Sequence, residues 1–288
     1  METGTVDLRG RPIDLRATLE SGQSYLWHRD GAMYEGADPA GPYHTTADGE
    51  ALRVRHRGDR LAWAATVEDP PVERLLGLED DLDAALGTAP DDPLVEAAID
   101  AYYGLRIVRD PFFPCLVSFI CSAQMRVERI HAMQTALRRE FGDAVEMDGH
   151  TYHTFPDPAD LAAATEADLR ELGLGYRAPY VRETAAMVAA GELTREDIEG
   201  LPYEEARDAL TAFVGVGPKV ADCVLLFSLG YLQAIPLDTW IRTAIEEHFP
   251  ECDRGSYADT SRALRERLGG EYAGYVQTYV FHYLRENG

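Results

Sequence analysis

The stretch FVGVGPKVADCVLLFSLGYLQAIPLD, from Phe213 to Asp238, decides the fold. Gly215 and Gly217 bracket Val216, Pro218 and Lys219 follow, and Val220, Ala221, Val224, Leu225 and Leu226 then recur at helical spacing. Glycine lets a tight turn adopt positive φ, and proline suits the first turn of a helix, where its missing N–H costs nothing. The stretch therefore reads as a hairpin feeding a buried helix, whose first backbone amides face outward and can hold a phosphate. Lys219 and Cys223 are four residues apart and share one helix face. A GxG alone is a weak signal, but GVGPKVADC followed by Asp238 in a Pro-Leu-Asp turn is a specific one.

The lysine count sharpens the reading. Of the 27 basic residues, Lys219 is the single lysine and the rest are arginine. Arginine serves as the general cation everywhere else, and what it cannot supply is a neutral amine, because a guanidinium stays protonated. A lysine amine, by contrast, can be deprotonated in a suitable environment and attack an electrophile. The plainer alternative is a surface lysine that touches phosphate.

The chain of 288 residues is long enough for two or three small domains, and 45% of it is hydrophobic, as in an ordinary globular protein. No apolar run reaches membrane-spanning length and the segment METGTVDLRGRP lacks a signal-peptide core, so a soluble, cytoplasmic protein is expected. A monomer is expected too, although nothing in the sequence decides the oligomeric state. Cys115, Cys121, Cys223 and Cys252 are scattered without CxxC or metal-ligand spacing, which predicts reduced thiols and no iron–sulfur cluster. The net charge of −23 argues at face value against nucleic acid, whose sequence-independent affinity comes from cations. Distribution softens that objection: residues 1–100 carry 21 acids and 9 bases, whereas residues 101–150 carry 6 of each. Abundant Asp and Glu with lysine almost eliminated resembles adaptation to a salt-rich cytoplasm, where a large net charge is tolerated.

Along the chain, residues 1–90 are rich in alternation and turn signals. Residues 24–28, 32–34, 51–56 and 60–64 read as strands of an antiparallel sheet, with LRVRHR as the clearest period-2 segment. From about residue 92 onward the pattern is helical. Helices are predicted at 93–103, 114–122, 126–141, 157–163, 166–172, 178–190, 194–200, 203–213, 219–228, 238–248, 257–268 and 272–284, with short Gly, Pro and Asp connections between them. The fold class is thus α+β, an N-terminal antiparallel β domain (1–90) followed by a helical domain (91–288) with the hairpin near 211–219.

Six separated segments, SGQSYLW (21–27), SFICSAQ (118–124), TYHTFP (151–156), LGLGYRAPYV (172–181), GVGPKVADC (215–223) and YAGYVQTYVF (272–281), resemble the 8-oxoguanine DNA glycosylases of the helix-hairpin-helix superfamily. The resemblance implies two all-α subdomains flanking a DNA cleft, with duplex DNA containing 8-oxoguanine as the partner. It implies no required cofactor, and no membrane is involved. Lys219 becomes the nucleophile whose Schiff base permits β-elimination, and Asp238 the catalytic aspartate. Simple helix capping is the plainer role for Asp238, and the two are compatible. Breaking a base–sugar bond develops positive charge at the sugar, which a nearby anion stabilises and an amine captures.

The same resemblance gives Phe281 and Cys223 as the faces of the base pocket, Gln277 as reader of the base edge, and Gly22 as the carbonyl that accepts the N7 hydrogen of 8-oxoguanine. A flipped base leaves a gap in the duplex. Gln124, Tyr176 and Arg177 are the residues expected to fill it, and Arg129 with the hairpin residues Gly215 and Gly217 completes the DNA-binding set. The backbone carbonyls of Thr211, Phe213 and Val216 match the positions that hold a monovalent cation. Departures are Gln124 followed by Met125 and Arg126 where the family carries three Asn, Trp240 where His is common, with Arg242 as its replacement on phosphate, and VGVG in place of PGVG. The alternatives are a monofunctional alkylpurine glycosylase of 3-methyladenine type, which does not need the lysine, and a non-catalytic helix-hairpin-helix DNA-binding protein.

Overall fold

A computed structural model of the chain describes residues 1–29, 41–123 and 125–287. The strand expected at 32–34 lies outside the described residues. Strands β1 (Glu2–Asp7), β2 (His28–Arg29), β3 (Tyr43–Ala47), β4 (Glu50–Arg57) and β5 (Arg60–Ala65) form an antiparallel sheet in the order β1-β5-β4-β3-β2. Gly4 pairs with Trp63, and a Cβ on Gly4 would stand 2.4 Å from the indole, so only glycine admits that ring. Helix α1 (Leu15–Glu20), begun by Asp14 accepting from the Ala17 amide at 2.9 Å, lies between β1 and β2.

The segment expected as a strand at 24–28 is an irregular turn that reaches β geometry only at His28–Arg29. Ser24, Tyr25, Leu26 and Trp27 are all buried, so the alternation of a half-exposed strand is absent there. Gln23 holds this turn in place: its Nε2 donates to the carbonyls of Thr18 and Arg106, each at 2.8 Å, and its Oε1 accepts from the Val108 amide at 2.9 Å.

The helical part begins with α2 (Val72–Leu75), α3 (Leu82–Leu86), α4 (Pro93–Tyr102), α5 (Phe112–Ser122) and α6 (Val127–Phe141). It continues through α7 (Pro158–Ala163), α8 (Glu166–Glu171), α9 (Ala178–Ala189), α10 (Arg195–Ile198) and α11 (Tyr203–Leu210). Helices α12 (Pro218–Phe227), α13 (Thr239–His248), α14 (Tyr257–Arg267) and α15 (Ala273–Asn287) complete it. Between α6 and α7 it departs from an all-helical reading: β6 (Ala144–Met147) and β7 (His150–His153) form a hairpin. This hairpin leans on the sheet through Arg53 to Asp148 at 2.7 Å and Thr46 to the His153 carbonyl at 3.2 Å.

Three helices are buried along most of their length, as befits core helices: α5 from Cys115 to Ser122, α12 from Val220 to Phe227 and α15 from Ala273 to Val280. Phe119 of α5 stacks on Phe227 of α12 with centroids 5.6 Å apart. One continuous apolar core runs from Val6 of the sheet to Val280 of α15. The starts of α12 and α13 and the turn after α1 all meet at its edge.

Candidate active site

Helix α12 starts at Pro218, with Gly217 as an extended N-cap that offers no side chain, so the first-turn amides are left to outside acceptors. Of the two hairpin glycines, Gly215 has φ +83°, and a Cβ there would come within 2.7 Å of Tyr180. Gly217 has φ −98° with open space around it, so its freedom is not needed for the turn. Helix α9 supports the hairpin from behind, Thr184 donating to the Val214 carbonyl at 2.8 Å.

Lys219, in the first turn of α12, is half-buried. Its Nζ donates to Ser122 Oγ at 3.2 Å and lies 5.5 Å from the centroid of Phe119. Asp238 caps α13, Oδ1 accepting from the Ile241 amide at 2.9 Å. Burial raises its carboxyl above the usual range, against the pull of the Ile241 amide, Lys219, the Trp240 amide and Arg285.

Lys219 and Asp238 line one cavity of about 60 Å³, room for a few water molecules. Gly22, Phe119, Cys223, Gln277 and Phe281 are among its other walls. Cys223 is 3% exposed and burial pushes its thiol up to about 12, with Lys219 pulling the other way, so it presents a neutral sulfur. Gln277 is 4% exposed, and its Oε1 is buried without a hydrogen-bond partner among the described residues. An orphaned acceptor in a cavity wall is a place for an incoming donor. Gly22 has φ +91°, and a Cβ there would stand 2.9 Å from Arg285 Nη1 and 3.7 Å from Phe281.

Of the expected DNA-contacting residues, Tyr176 lies beside Tyr180, the ring that backs Gly215 of the hairpin. Tyr176 is 55% exposed and so is not a core aromatic. Arg177 is 4% exposed, its guanidinium 4.3 Å from the Tyr176 centroid and donating to the Ala123 carbonyl. Gln124, the next residue after that carbonyl, lies outside the described residues. Arg129 is exposed on the first turn of α6, and Trp240 and Arg242 are exposed on the first turn of α13. Among the carbonyls expected to hold a cation, that of Phe213 accepts the Val216 amide at 3.1 Å and keeps its second lone pair. Among the described residues no cluster of His, Cys, Asp or Glu could hold a metal ion, and all four cysteines are buried and unbridged. No helix there is long and apolar enough to cross a membrane.

The sequence reading missed three groups beside this site. Ser122 meets the lysine from α5, Arg285 grips the Gly22 turn from α15, and Asp222, on the buried side of α12, sits between two tyrosines. Asp222, inside GVGPKVADC, and Ser122, inside SFICSAQ, were visible as polar residues within apolar stretches, but their partners and those of Arg285 lie far off in the chain.

Residues 117–269 match the HhH-GPD superfamily of base excision DNA repair proteins. A probable N-glycosylase/DNA lyase of Methanothermobacter thermautotrophicus is 34% identical over 96% of this chain and 95% of its own length. The N-glycosylase/DNA lyase OGG1 of Arabidopsis thaliana is 30% identical over 93% of this chain and 76% of its own. Among solved structures, the Clostridium acetobutylicum 8-oxoguanine glycosylase/lyase bound to double-stranded DNA with cytosine opposite 8-oxoG superposes with a TM-score of 0.86. It is 30% identical, covering 96% of this chain and 92% of that one.

Proposed function

Because the chain belongs to the HhH-GPD superfamily of base excision DNA repair proteins, we propose that it is an N-glycosylase/DNA lyase that excises 8-oxoguanine from duplex DNA and nicks the resulting site. The observation that carries this reading is the meeting of Lys219 and Asp238 in one cavity whose other walls include Gly22, Cys223, Gln277 and Phe281. In this reading the base leaves as positive charge develops at the sugar, next to the Asp238 carboxylate. The Lys219 amine bonds to the sugar C1′, the ring opens to the imine, and loss of a proton from C2′ expels the 3′ phosphate.

The flipped base would stack between Phe281 and the neutral Cys223 sulfur, with Gln277 Oε1 accepting from its edge. The Gly22 carbonyl would take the N7 hydrogen that guanine lacks. The uncapped amides at Gly217 and beyond would receive a phosphate, with a monovalent cation on the carbonyls of Thr211, Phe213 and Val216 as an additional bridge. Arg129, Tyr176, Arg177 and Gln124 would face the duplex around the gap. Arg177 must release the Ala123 carbonyl to reach a base.

The division into a β domain at 1–90 and a two-part helical domain at 91–288 belongs to the same reading, as does adaptation to high salt from the −23 charge. Release of 8-oxoguanine from a duplex carrying it opposite cytosine, followed by a strand break 3′ to the lesion, tests the activity. Intact duplex after prolonged incubation with excess protein would overturn it.

A further inference from the structure

Asp222 has no exposed surface, yet it lies three residues beyond Lys219 on α12 and next to Cys223. Its Oδ1 accepts the hydroxyl of Tyr203 at 2.7 Å and its Oδ2 the hydroxyl of Tyr257 at 2.7 Å. The Tyr257 oxygen in turn accepts the backbone amide of Leu237 at 3.1 Å. Leu237 is the residue before Asp238. A path of three hydrogen-bonded groups therefore joins the helix that carries the lysine to the turn that carries the aspartate.

A carboxylate in the interior is costly unless its oxygens are satisfied and charge is offset nearby. Here both oxygens have phenolic donors. The Arg207 guanidinium lies 5.3 Å from the Tyr203 ring centroid and 6.0 Å from that of Tyr257, and Arg265 lies 4.8 Å from Tyr203. Burial still pushes Asp222 up to about 7, so these neighbours offset only part of the cost. For stability alone, apolar residues of the same volume would serve as well or better. What they could not do is give the turn a polar tether to α12: the Asp238 carboxylate itself accepts from amides at the start of α13, those of Ile241 and Trp240, whereas the Tyr257 hydroxyl accepts the Leu237 amide and lies 3.4 Å from the Ile235 carbonyl oxygen.

Resting on the function proposed above, we infer that Asp222 and Tyr257 are positioning residues for base excision, holding the 235–238 turn and so the Asp238 carboxylate in register with Lys219. Tyr203 and Tyr257 separate this from a merely structural network. Both donate to Asp222 over the same distance, but only Tyr257 touches the turn.

Excision and covalent capture depend on the turn differently. Excision develops positive charge that the carboxylate must meet at a fixed position. Capture at a preformed abasic site needs only the amine: nitrogen adds to the aldehyde carbon, water leaves, and borohydride reduces the imine to a stable secondary amine. The experiment compares wild type, Tyr257→Phe and Tyr203→Phe in single-turnover excision of 8-oxoguanine and in borohydride trapping on a preformed abasic site, with melting temperatures alongside. Tyr257→Phe is expected to slow excision about ten- to a hundredfold, the scale of a small misplacement at a reacting centre, while trapping stays within about twofold. Tyr203→Phe is expected to lose comparable stability and keep its excision rate. Excision by Tyr257→Phe at the wild-type rate, or excision and trapping falling together in both variants, overturns the positioning role. A wild type that neither excises nor traps overturns the proposed function and this inference with it.

Discussion

The guanidinium of Arg285 donates to the carbonyl oxygen of Ser21 at 2.7 Å, so a residue near the end of α15 holds the turn on which Gly22 stands. Its second nitrogen takes the Glu20 carbonyl at 2.6 Å. The Gly22 backbone is thereby fixed at one edge of the cavity, and Phe281, one helical turn before Arg285, forms the adjacent wall.

Gly22→Ala follows from this geometry. A Cβ at φ +91° costs roughly 1–2 kcal/mol of backbone strain, and it would also crowd the Arg285 guanidinium that holds this turn. Thermal unfolding should register that modest loss, while single-turnover excision, measured well below the melting temperature, should fall by more than about tenfold because the recognising carbonyl moves. Excision that falls only in proportion to the unfolded fraction would remove Gly22 from lesion recognition.

Asp238→Asn separates capping from chemistry. Asparagine caps helices about as well as aspartate, so the Ile241 amide keeps an acceptor and the melting temperature should change little. Excision should slow by about two to three orders of magnitude, as when a preorganised group facing developing charge is lost. A variant with near wild-type excision would leave Asp238 a cap and nothing more.

His282 makes the fold acid-sensitive at the same corner. Its ring packs 4.2 Å from Tyr102 and Nδ1 lies 3.4 Å from Arg285. Burial, then the Arg285 charge, lowers it from 6.5 to about 4. The folded state thus binds this proton less readily than the unfolded chain, so the contribution to stability is present above about 6.5 and lost as pH falls toward 4. Over that window the stability advantage of wild type over His282→Gln should shrink by on the order of 3 kcal/mol. Asp110 and Asp222, both pushed up to about 7 by burial, act in the opposite direction, so the single-site difference is the quantity to measure. Denaturant unfolding of both proteins from pH 4 to 7 checks it, and parallel curves would contradict the assignment.

Salt should help this protein where it harms most DNA-binding ones. With a net charge of −23, self-repulsion and repulsion of the duplex are greatest in dilute buffer. Near 1 M KCl the Debye length falls to about 3 Å, removing that repulsion and leaving short-range contacts to hold DNA. Melting temperature should rise steeply toward molar KCl and excision should persist there, against the several decades of affinity usually lost. A melting temperature flat with salt, or activity confined to dilute buffer, would refute the salt-adapted reading.

Much of the architecture was legible because its signals are local. LRVRHR alternates and became β4, and the GVGPKVADC turn and apolar run became the hairpin and α12. Two local signals went unread: Asp48–Gly49 and Asp148–Gly149 each join two strands, all four residues having positive φ, the geometry that Asp-Gly favours in two-residue hairpins. Reading them would have exposed β3 and the β6–β7 hairpin. Strand β1 hides its pattern because Gly4, facing Trp63, replaces an apolar residue. Tyr25, Leu26 and Trp27 looked like a strand because consecutive apolar residues suit either a buried strand or a buried turn. The cavity residues emerged from a pattern spread over six segments. Arg285 with Ser21 and Ser122 with Lys219 are pairings across distant chain that no spacing encodes.

The central claim is that the Lys219 amine attacks the sugar, and borohydride trapping tests it most directly. A duplex with one 8-oxoguanine opposite cytosine is incubated with protein and reductant, and covalent protein–DNA complex is read on a denaturing gel. Wild type should give a stable covalent band, and Lys219→Gln should give none while still binding the lesion duplex, since the amide keeps size and loses nucleophilicity. A Lys219→Gln protein that traps or excises at the wild-type rate would contradict the amine mechanism.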